Sequence, residues 1–214
     1  MAIDAQMYFK DYQGNFLASE AQLEFGTSQN TSIVTPFKEA FSTTKFMQGA
    51  SGGKTGARRS GLFEIEDYSF DIEQVLSIGS QSSGSGAGKV TFNPFSITRK
   101  IDCSSPMFFS MACSGTPFAQ VGLGLRKSAG ALNTGGGSSG LMYLAFTFAL
   151  VAVKTLAWAH DDEAPKETVT FEYGGLNIDY WQQAPDGSLV QAPQKGWNRV
   201  KNIAADTLDT LKIV

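Results

Sequence analysis

Charge is scarce in this sequence, and the scarcity is concentrated in two stretches. Charged residues make up 17% of the 214 positions, whereas an average soluble domain carries about 25%. No Asp, Glu, Lys, Arg or His occurs from Cys103 to Leu125 or from Ser128 to Val153. Long uncharged stretches on a small protein favour surface that a partner covers, although Ser, Thr, Gly and Asn also supply polarity. Composition therefore hints at self-association and leaves a solvated polar surface as the alternative.

Basic residues, histidine and cysteine are also few. The net charge of −3 and the pI near 5.2 argue against a nucleic-acid partner, which usually meets a basic face. One histidine and two cysteines argue against a structural zinc site, and we expect no metal and no cofactor. Cys103 and Cys113 flank a predicted short helix, whose rise of about 1.5 Å per residue separates them beyond disulfide reach. Both are expected to be reduced packing residues.

Signals for export and for membrane insertion are missing. The first residues contain neither a basic region nor an apolar run, so we expect no secretory signal peptide. The most apolar run, Leu141 to Val153, is shorter than the roughly 20 residues of a membrane-spanning helix. It is rich in aromatic and β-branched residues and predicts a buried strand. We expect a cytoplasmic protein that leaves the cell, if it does, without a signal peptide.

The motifs that suggest nucleotide binding are incomplete. Gly53-Lys54-Thr55 resembles the end of a phosphate-binding loop, but Gln48 stands where the motif requires its first glycine. Gly88-Lys89 is followed by Val90, where Ser or Thr would have to bind magnesium. Neither stretch predicts a phosphate site.

Catalytic side chains do not form a recognisable set either. A Ser-His-acid triad would need His160, which lies in a predicted exposed loop beside acids 161–163. Those acids lack the spacing of a calcium loop. Glu64 and Glu66 share one face of a predicted strand, a pattern that is common on solvated strands. The sequence predicts that the protein is not an enzyme.

Alternating apolar and polar residues predict a mainly β fold. Val169 to Tyr173 alternates as a half-buried strand does, and so does Phe63 to Glu66. The apolar set then changes phase and continues at Tyr68 and Phe70, which indicates a β-bulge or corner. A second break falls at Asn93-Pro94, because proline cannot donate to a strand ladder. Two corners favour a closed or strongly coiled barrel over a flat sheet.

One segment has the pattern of a helix. Ser105-Pro106 offers an N-cap followed by proline at the first helical position, and Gly115 offers a left-handed stop. Between them, one stripe of the helix surface is apolar: Met107, Phe108, Met111 and Ala112. The sequence therefore predicts one helix at about residues 105–114.

An ordered series of six fragments spans roughly residues 62 to 202. The fragments are Gly86 to Val90, Phe95 to Asp102, Ser105-Pro106 with Ala112 to Gly115, Leu125 to Gly130, Tyr143-Leu144 through Asp186-Gly187-Ser188, and Gly196-Trp197-Asn198. In this order they resemble the Hcp (hemolysin-coregulated protein) family of type VI secretion systems.

The resemblance implies a single domain over residues 1–214 with a definite architecture. The expected fold is an Hcp-like, tail-tube-like β-barrel of two coiled sheets, with one short α-helix at about residues 105–114. Relative to the family pattern, the chain has an expanded loop region at about 21–62 and a C-terminal extension at 203–214. These additions could decorate the tube, bridge rings or bind a sheath or cargo.

The resemblance also implies a function and a set of partners. It implies a structural subunit of the type VI secretion inner tube, whose hexameric rings stack into a hollow tube that is exported with effector cargo. The implied partners are other copies of the chain, a VgrG-type spike protein, contractile sheath proteins and effector proteins in the lumen, with no nucleic acid and no membrane insertion. The alternative is a monomeric secreted adaptor or binding module, or a phage-like tail-tube protein, with the same fold.

We also expect particular residues at the interfaces between copies. They are Lys89, Arg99, Lys100, Ser110, Arg126 and Trp197.

Overall fold

Alternating apolar and polar residues form strands along most of the described chain. The structure is a computed structural model that describes residues 3–21, 29, 31–47, 59–76, 87–127, 140–160, 164–185 and 189–205. The strands are β1 (Ile3–Lys10), β2 (Phe63–Glu64), β3 (Asp67–Ser69), β4 (Ile72–Leu76), β5 (Ala87–Phe92), β6 (Phe95–Lys100), β7 (Phe118–Lys127), β8 (Met142–Ala159), β9 (Lys166–Gln183), β10 (Leu189–Gln191), β11 (Lys195–Asn198) and β12 (Ile203–Ala204). The helices are α1 (Thr35–Ser42) and α2 (Ser105–Ser114).

The strands divide into one large and one small sheet. Ten strands form the large sheet, whose main path runs β12-β11-β9-β8-β7-β1-β2. Strand β10 pairs with β9, and β6 pairs with both β9 and β3. Strands β4 and β5 pair with each other as the small sheet. The predicted mainly β class is confirmed, and the predicted buried strand at 141–153 is the first part of the long β8.

The phase change after Glu66 is a change of pairing partner. Strand β2 pairs with β1, whereas β3 pairs with β6. Between them, the Ile65 N–H donates to the Ala5 carbonyl at 3.2 Å, and the Glu66 N–H donates to the Thr98 carbonyl at 3.0 Å. The described strand ladders do not pair β1 with β6, and the two hydrogen bonds from residues 65–66 connect these strands instead. We call this segment the seam.

The break predicted at Asn93-Pro94 is a change of sheet. The chain leaves the small sheet at the end of β5 and enters the large sheet in β6. The Asn93 N–H donates to the Asp71 carbonyl at 3.1 Å, and its side-chain amide donates to the Asp71 carboxylate at 2.6 Å. Residues 71 and 93 therefore bind the β3–β4 and β5–β6 connections to each other where the chain passes between the two sheets, as predicted for a corner.

The main core is largely aromatic. Phe95 stacks on Phe148 and Phe171, with ring centroids 4.2 and 4.8 Å away. Phe108 of α2 is fully buried and meets Phe9 edge-on at 5.1 Å. Burial of each such side chain contributes about 1.5–3 kcal/mol. The predicted alternation is confirmed on β9, where every second residue from 169 to 173 is buried.

The structure corrects the prediction of a single helix. The expanded region contains α1, whose Phe37 and Ala40 are buried in a second cluster. Phe37 meets Tyr8 edge-on at 5.0 Å, on the face of β1 that points away from the main core. A Cβ on Gly124 would lie 2.7 Å from the Phe37 ring, so the absence of a side chain there makes room for the helix. The signal was Pro36 in the first turn followed by apolar residues at helical spacing.

Several segments that the sequence singles out lie outside the described residues. They include the acidic stretch at 161–163, the fragment at 186–188 and the last part of the C-terminal extension, 206–214. Within the part of the chain that the structure describes, no helix has both the length and the apolar composition needed to cross a membrane.

Candidate assembly surface

The start of α2 is held by the residues before it. The sequence predicted Ser105 as the N-cap, but the helix already includes Ser105, and Ser104 occupies the cap without a side-chain cap bond. Instead, the Asp102 carboxylate accepts from the Ser104 N–H at 2.8 Å and from the Ser104 hydroxyl at 2.6 Å. The Ser105 hydroxyl in turn accepts from the Asp102 N–H at 3.2 Å.

A buried carboxylate, Glu167, ties α2 to two strands. The Ser105 hydroxyl donates to its Oε1 at 2.9 Å, and the Arg99 Nε lies 3.0 Å from the same oxygen. The Trp158 indole N–H donates to its Oε2 at 3.1 Å. The side chains of Glu167 and Arg99 are 0% and 2% exposed. A buried ion pair is tolerated only when further hydrogen bonds satisfy it, and here helix, β6 and β8 all supply donors.

The Arg99 guanidinium has further partners in the same cluster. It pairs with Asp102, and its central carbon lies 4.9 Å from the Phe63 ring centroid and 5.5 Å from that of Phe108. Cation–π contacts of this kind add to the stability of a desolvated guanidinium. Arg99 therefore links the end of β6 to the base of α2.

The end of α2 is as predicted. Gly115 adopts the left-handed conformation at φ 68°, and its N–H donates to the Met111 carbonyl at 2.9 Å. Only glycine adopts this backbone region without steric cost. The helix is therefore fixed at both ends.

The outer face of α2 carries no charge and includes exposed apolar residues. Phe109 is 52% exposed and Trp158 is 54% exposed, and their ring centroids are 6.2 Å apart. Pro106, Ser110 and Cys113 are exposed along the same helix. We call Phe109 and Trp158 the aromatic knob. A soluble helix normally presents charged or strongly polar residues to water, and this one does not.

Three of the predicted interface residues lie in or next to α2. Arg99 is buried within the chain, whereas Lys100 and Ser110 are exposed. The burial of Arg99 assigns it a role in holding α2 in place. Because the structure contains one chain, an interface through Lys100 and Ser110 stays a prediction.

The other three predicted interface residues lie elsewhere. Arg126 is mostly buried on β7, with its guanidinium 3.7 Å from the Asp4 carboxylate. Trp197 is half-buried on β11. Lys89 belongs to β5, and its side chain lies outside the described residues. The structure thus does not bring the six residues together on one surface.

The two cysteines are free, as predicted, but they differ in environment. Cys113 is exposed on α2 rather than packed. Cys103 is half-buried, and burial together with the carboxylates of Asp102 and Glu20 raises its thiol pKa to about 11. The environment of Cys103 is therefore the opposite of the electropositive one that activates a cysteine.

Other ionisable groups form surface pairs or are kept neutral by burial. Partial burial raises the pKa of Glu172, but hydrogen bonds from Lys154 at 2.9 Å and Arg199 at 3.0 Å outweigh it and hold the pKa below its usual value. Burial raises the pKa of Tyr173 to about 12. Among the described residues, no group of three or more His, Cys, Asp or Glu is placed to hold a metal ion.

An apolar groove lies between the small sheet and the large one. It has a volume of about 700 Å³ and runs between the β4–β5 hairpin and strands β9 and β11. Its lining is Ile72, Gln74, Val90, Phe92, Leu176, Ile178, Lys195, Gly196, Trp197 and Asn202. Among the predicted interface residues whose side chains the structure describes, Trp197 is the one that lines it.

Sequence reasoning missed two features of this surface. Glu167 stands in phase with the buried Val169 and Phe171, so the alternation of β9 already implied a buried carboxylate that needs a basic partner. The exposure of Phe109 had a weaker signal, since it is the apolar residue of α2 that falls outside the predicted stripe.

Comparison with known proteins identifies the family. The family described as "Type VI secretion system effector, Hcp" matches residues 45–180. Protein hcp1 of Pseudomonas aeruginosa is 30% identical over 120 residues, which cover 55% of this chain and 70% of that protein.

Solved structures share the fold. A structure described as a type six secretion system protein superposes with a TM-score of 0.62 at 16% identity, covering 95% of this chain and all of the other. A variant of Hcp1 from Escherichia coli EAEC 042 gives 0.58 at 15% identity, covering 89% and 98%. Identities this low show the fold alone, and the family is shown by the match over 45–180, which spans more than half of the chain. The chain therefore belongs to the Hcp family of type VI secretion proteins.

Proposed function

We propose that the chain is a structural subunit of the type VI secretion inner tube. In this proposal, six copies form a ring, rings stack into a hollow tube, and the tube is exported with effector proteins in its lumen. The observation that carries the proposal is the uncharged outer face of α2, with its aromatic knob half exposed. Membership of the Hcp family supplies the context for this surface.

The mode of attachment of α2 supports an assembly role. The helix is fixed by the buried Glu167 pair at its start and by Gly115 at its end. Rigid side chains lose little conformational entropy on association, so their binding is stronger than that of mobile ones. An exposed apolar helix that is held this firmly suits a permanent contact with another protein.

The proposal includes further partners and a route. A VgrG-type spike protein would meet the end of the tube, and contractile sheath proteins would surround it. Export would occur with the tube and without a signal peptide. The chemistry of the described surface suits protein partners of this kind, because its exposed apolar residues, and not a basic patch, are the dominant feature.

We also propose that the chain has no catalytic activity of its own. Glu66 is paired with Lys166 at 3.1 Å, and the Glu167 carboxylate is enclosed by three donors. These contacts favour a structural role for both acids. Reproducible hydrolase turnover that His160→Ala abolishes would contradict the proposal.

The additions at 21–62 and 203–214 are proposed to be features of this chain on top of the family domain. Within the first, α1 covers the outer face of β1 and β7, and its exposed Glu39 forms a surface ion pair with Lys10 of β1 at 3.1 Å. We propose that this region decorates the subunit and does not take part in ring contacts.

Ring formation is tested by size and shape. Light scattering on the purified full chain is expected to give a mass near six times 22.9 kDa, and negative-stain images are expected to show annular particles. A stable 22.9 kDa chain at high concentration would favour the monomeric adaptor instead. Rings that never stack, even at high concentration, would restrict the proposal to the ring itself.

A further inference from the structure

The aromatic knob is a preformed convex surface. The Trp158 ring is held by its hydrogen bond to the buried Glu167 carboxylate at 3.1 Å, and Phe109 packs beside it at 6.2 Å. About half of each side chain is exposed. An aromatic side chain has roughly 150–250 Å² of surface to bury, so the pair offers about 150–250 Å² of apolar area.

The groove between the small and large sheets is a preformed concave surface of matching character. Ile72 on one wall is 44% exposed, and Ile178 on the other is 37% exposed. Lys195 carries the one charge in the lining. Its volume of about 700 Å³ is within the range of pockets that hold bulky apolar groups.

The knob cannot reach the groove of its own chain. Trp158 pairs with Glu167 near the start of β9, and the groove begins at Leu176 and includes Ile178 on the same strand. At about 3.3 Å per residue, Glu167 and Ile178 are roughly 35 Å apart along the strand. A rigid strand separates the two surfaces, so only a second chain can bring them together.

We infer that the aromatic knob of one copy docks in the apolar groove of the next copy. Both surfaces are nearly free of charge, so they match electrostatically and neither suits a charged partner. A contact between two different surfaces of the same chain is heterologous, and it closes into a ring when the rotation per subunit divides a full turn. This inference rests on the proposed ring and specifies which surfaces form it.

The knob, with about 150–250 Å² of apolar area, would form the centre of a larger contact between copies. A standard interface buries about 800 Å² per partner, with an apolar centre and a polar rim. The knob supplies the centre, and the exposed uncharged residues around it, such as Ser110 and Cys113, supply part of the rim. Tryptophan is also among the residues that most often dominate binding energy.

Complementary charges test the contact. Phe109→Lys places a cation on the knob and Ile72→Glu places an anion in the groove, so each single variant opposes an apolar surface with a charge. Each is expected to raise the concentration for half-assembly by at least about 30-fold. The double variant, and an equal mixture of the two single variants, are expected to assemble again because opposite charges then meet. Tyr12→Lys, at an exposed aromatic residue in the turn after β1, is the matched control and is expected to assemble as the wild type does.

The outcomes separate this inference from the proposed function. If both single variants form rings as readily as the wild type does, the knob-in-groove contact is wrong and the ring proposal stands. A wild-type chain that stays at 22.9 kDa would overturn both. Circular dichroism checks that each variant folds. A chain with Phe109→Cys, Ile72→Cys, Cys103→Ser and Cys113→Ser gives a second readout, since mild oxidation is expected to link chain to chain, and its failure to do so in assembled protein would also overturn the contact.

Discussion

The two helices of this protein solve the same packing problem in different ways. Helix α1 is held mainly by shape, because Phe37 fills the space above Gly124, and its one charged tie to β1 is the surface ion pair of Glu39 with Lys10 at 3.1 Å. Helix α2 is held by charge, through the buried Glu167, and its outer face carries none. A helix whose outer face stays in water, as proposed for α1, needs only an inner face that packs well. A helix that binds another protein, as proposed for α2, also needs a fixed position and an outer face whose desolvation costs little free energy.

The largest change in stability is expected when the buried charge that holds α2 is removed. Glu167→Ala removes the acceptor shared by Arg99 and Ser105, which are buried, and by the half-exposed Trp158, and it is expected to lower the free energy of unfolding by about 3–5 kcal/mol. Urea unfolding followed by circular dichroism measures it. Glu172→Ala on the same strand is the control, with an expected loss below about 1 kcal/mol because its ion pairs are exposed. Equal losses in the two variants would contradict a special role for the buried pair.

The second prediction tests whether the packing of Phe37 over Gly124 holds α1 in place. In Gly124→Ala the new Cβ would lie 2.6 Å from the end of the Met142 side chain and 2.7 Å from Phe37, which is closer than contact allows. We expect a loss of about 1–3 kcal/mol and faster hydrogen exchange in α1 with α2 unchanged. Adding Phe37→Leu is expected to recover part of the loss by making room. Faster exchange in both helices alike would show that they do not depend on separate contacts.

A charge placed on the outer face of α2 is expected to change stability little and assembly clearly. Ser110→Glu puts a charge on α2 and is expected to change the unfolding free energy by less than about 0.5 kcal/mol. The concentration for half-assembly should rise roughly tenfold. Ser42→Glu makes the same substitution on the exposed side of α1 and should leave assembly unchanged. Size-exclusion elution over a dilution series measures both, and unchanged elution of Ser110→Glu would argue against α2 as an interface.

The smallest perturbation uses the native thiols as reporters. With a pKa of about 11, only about one in a thousand Cys103 thiols is ionised at pH 8, whereas Cys113 is exposed on α2. We expect Cys113 to react with a disulfide reagent at least about tenfold faster in the single chain, and the difference to narrow as the pH rises toward 11. Cys113→Ser identifies the fast phase. In assembled protein the fast phase should slow, and its persistence there would place α2 outside the contact.

The sequence predicts the elements of this fold where local pattern and tertiary contact agree. The alternation of β9, the break at Asn93-Pro94 and the stop at Gly115 were all confirmed, because each depends on neighbouring residues. Helix α1 was missed since a short helix in a long connection has a weak pattern, even with Pro36 at its start.

The candidate surface was predicted only in outline. The uncharged stretch around α2 was visible in the sequence, and Ser110 is exposed as an interface residue must be. The burial of Arg99 was not predicted, because it depends on Glu167 in a strand 68 positions away in the sequence. Contacts across such distances are set by strand pairing, which a single sequence specifies poorly.

The seam at residues 65–66 also controls register. One short segment pairs with β1 through Ile65 and with β6 through Glu66, so a shift by one residue against either strand breaks its bonds to the other. The same shift would turn the buried Phe63 and Ile65 outward. A misaligned chain therefore loses backbone bonds and apolar burial together, so the seam restricts the folded chain to one strand register.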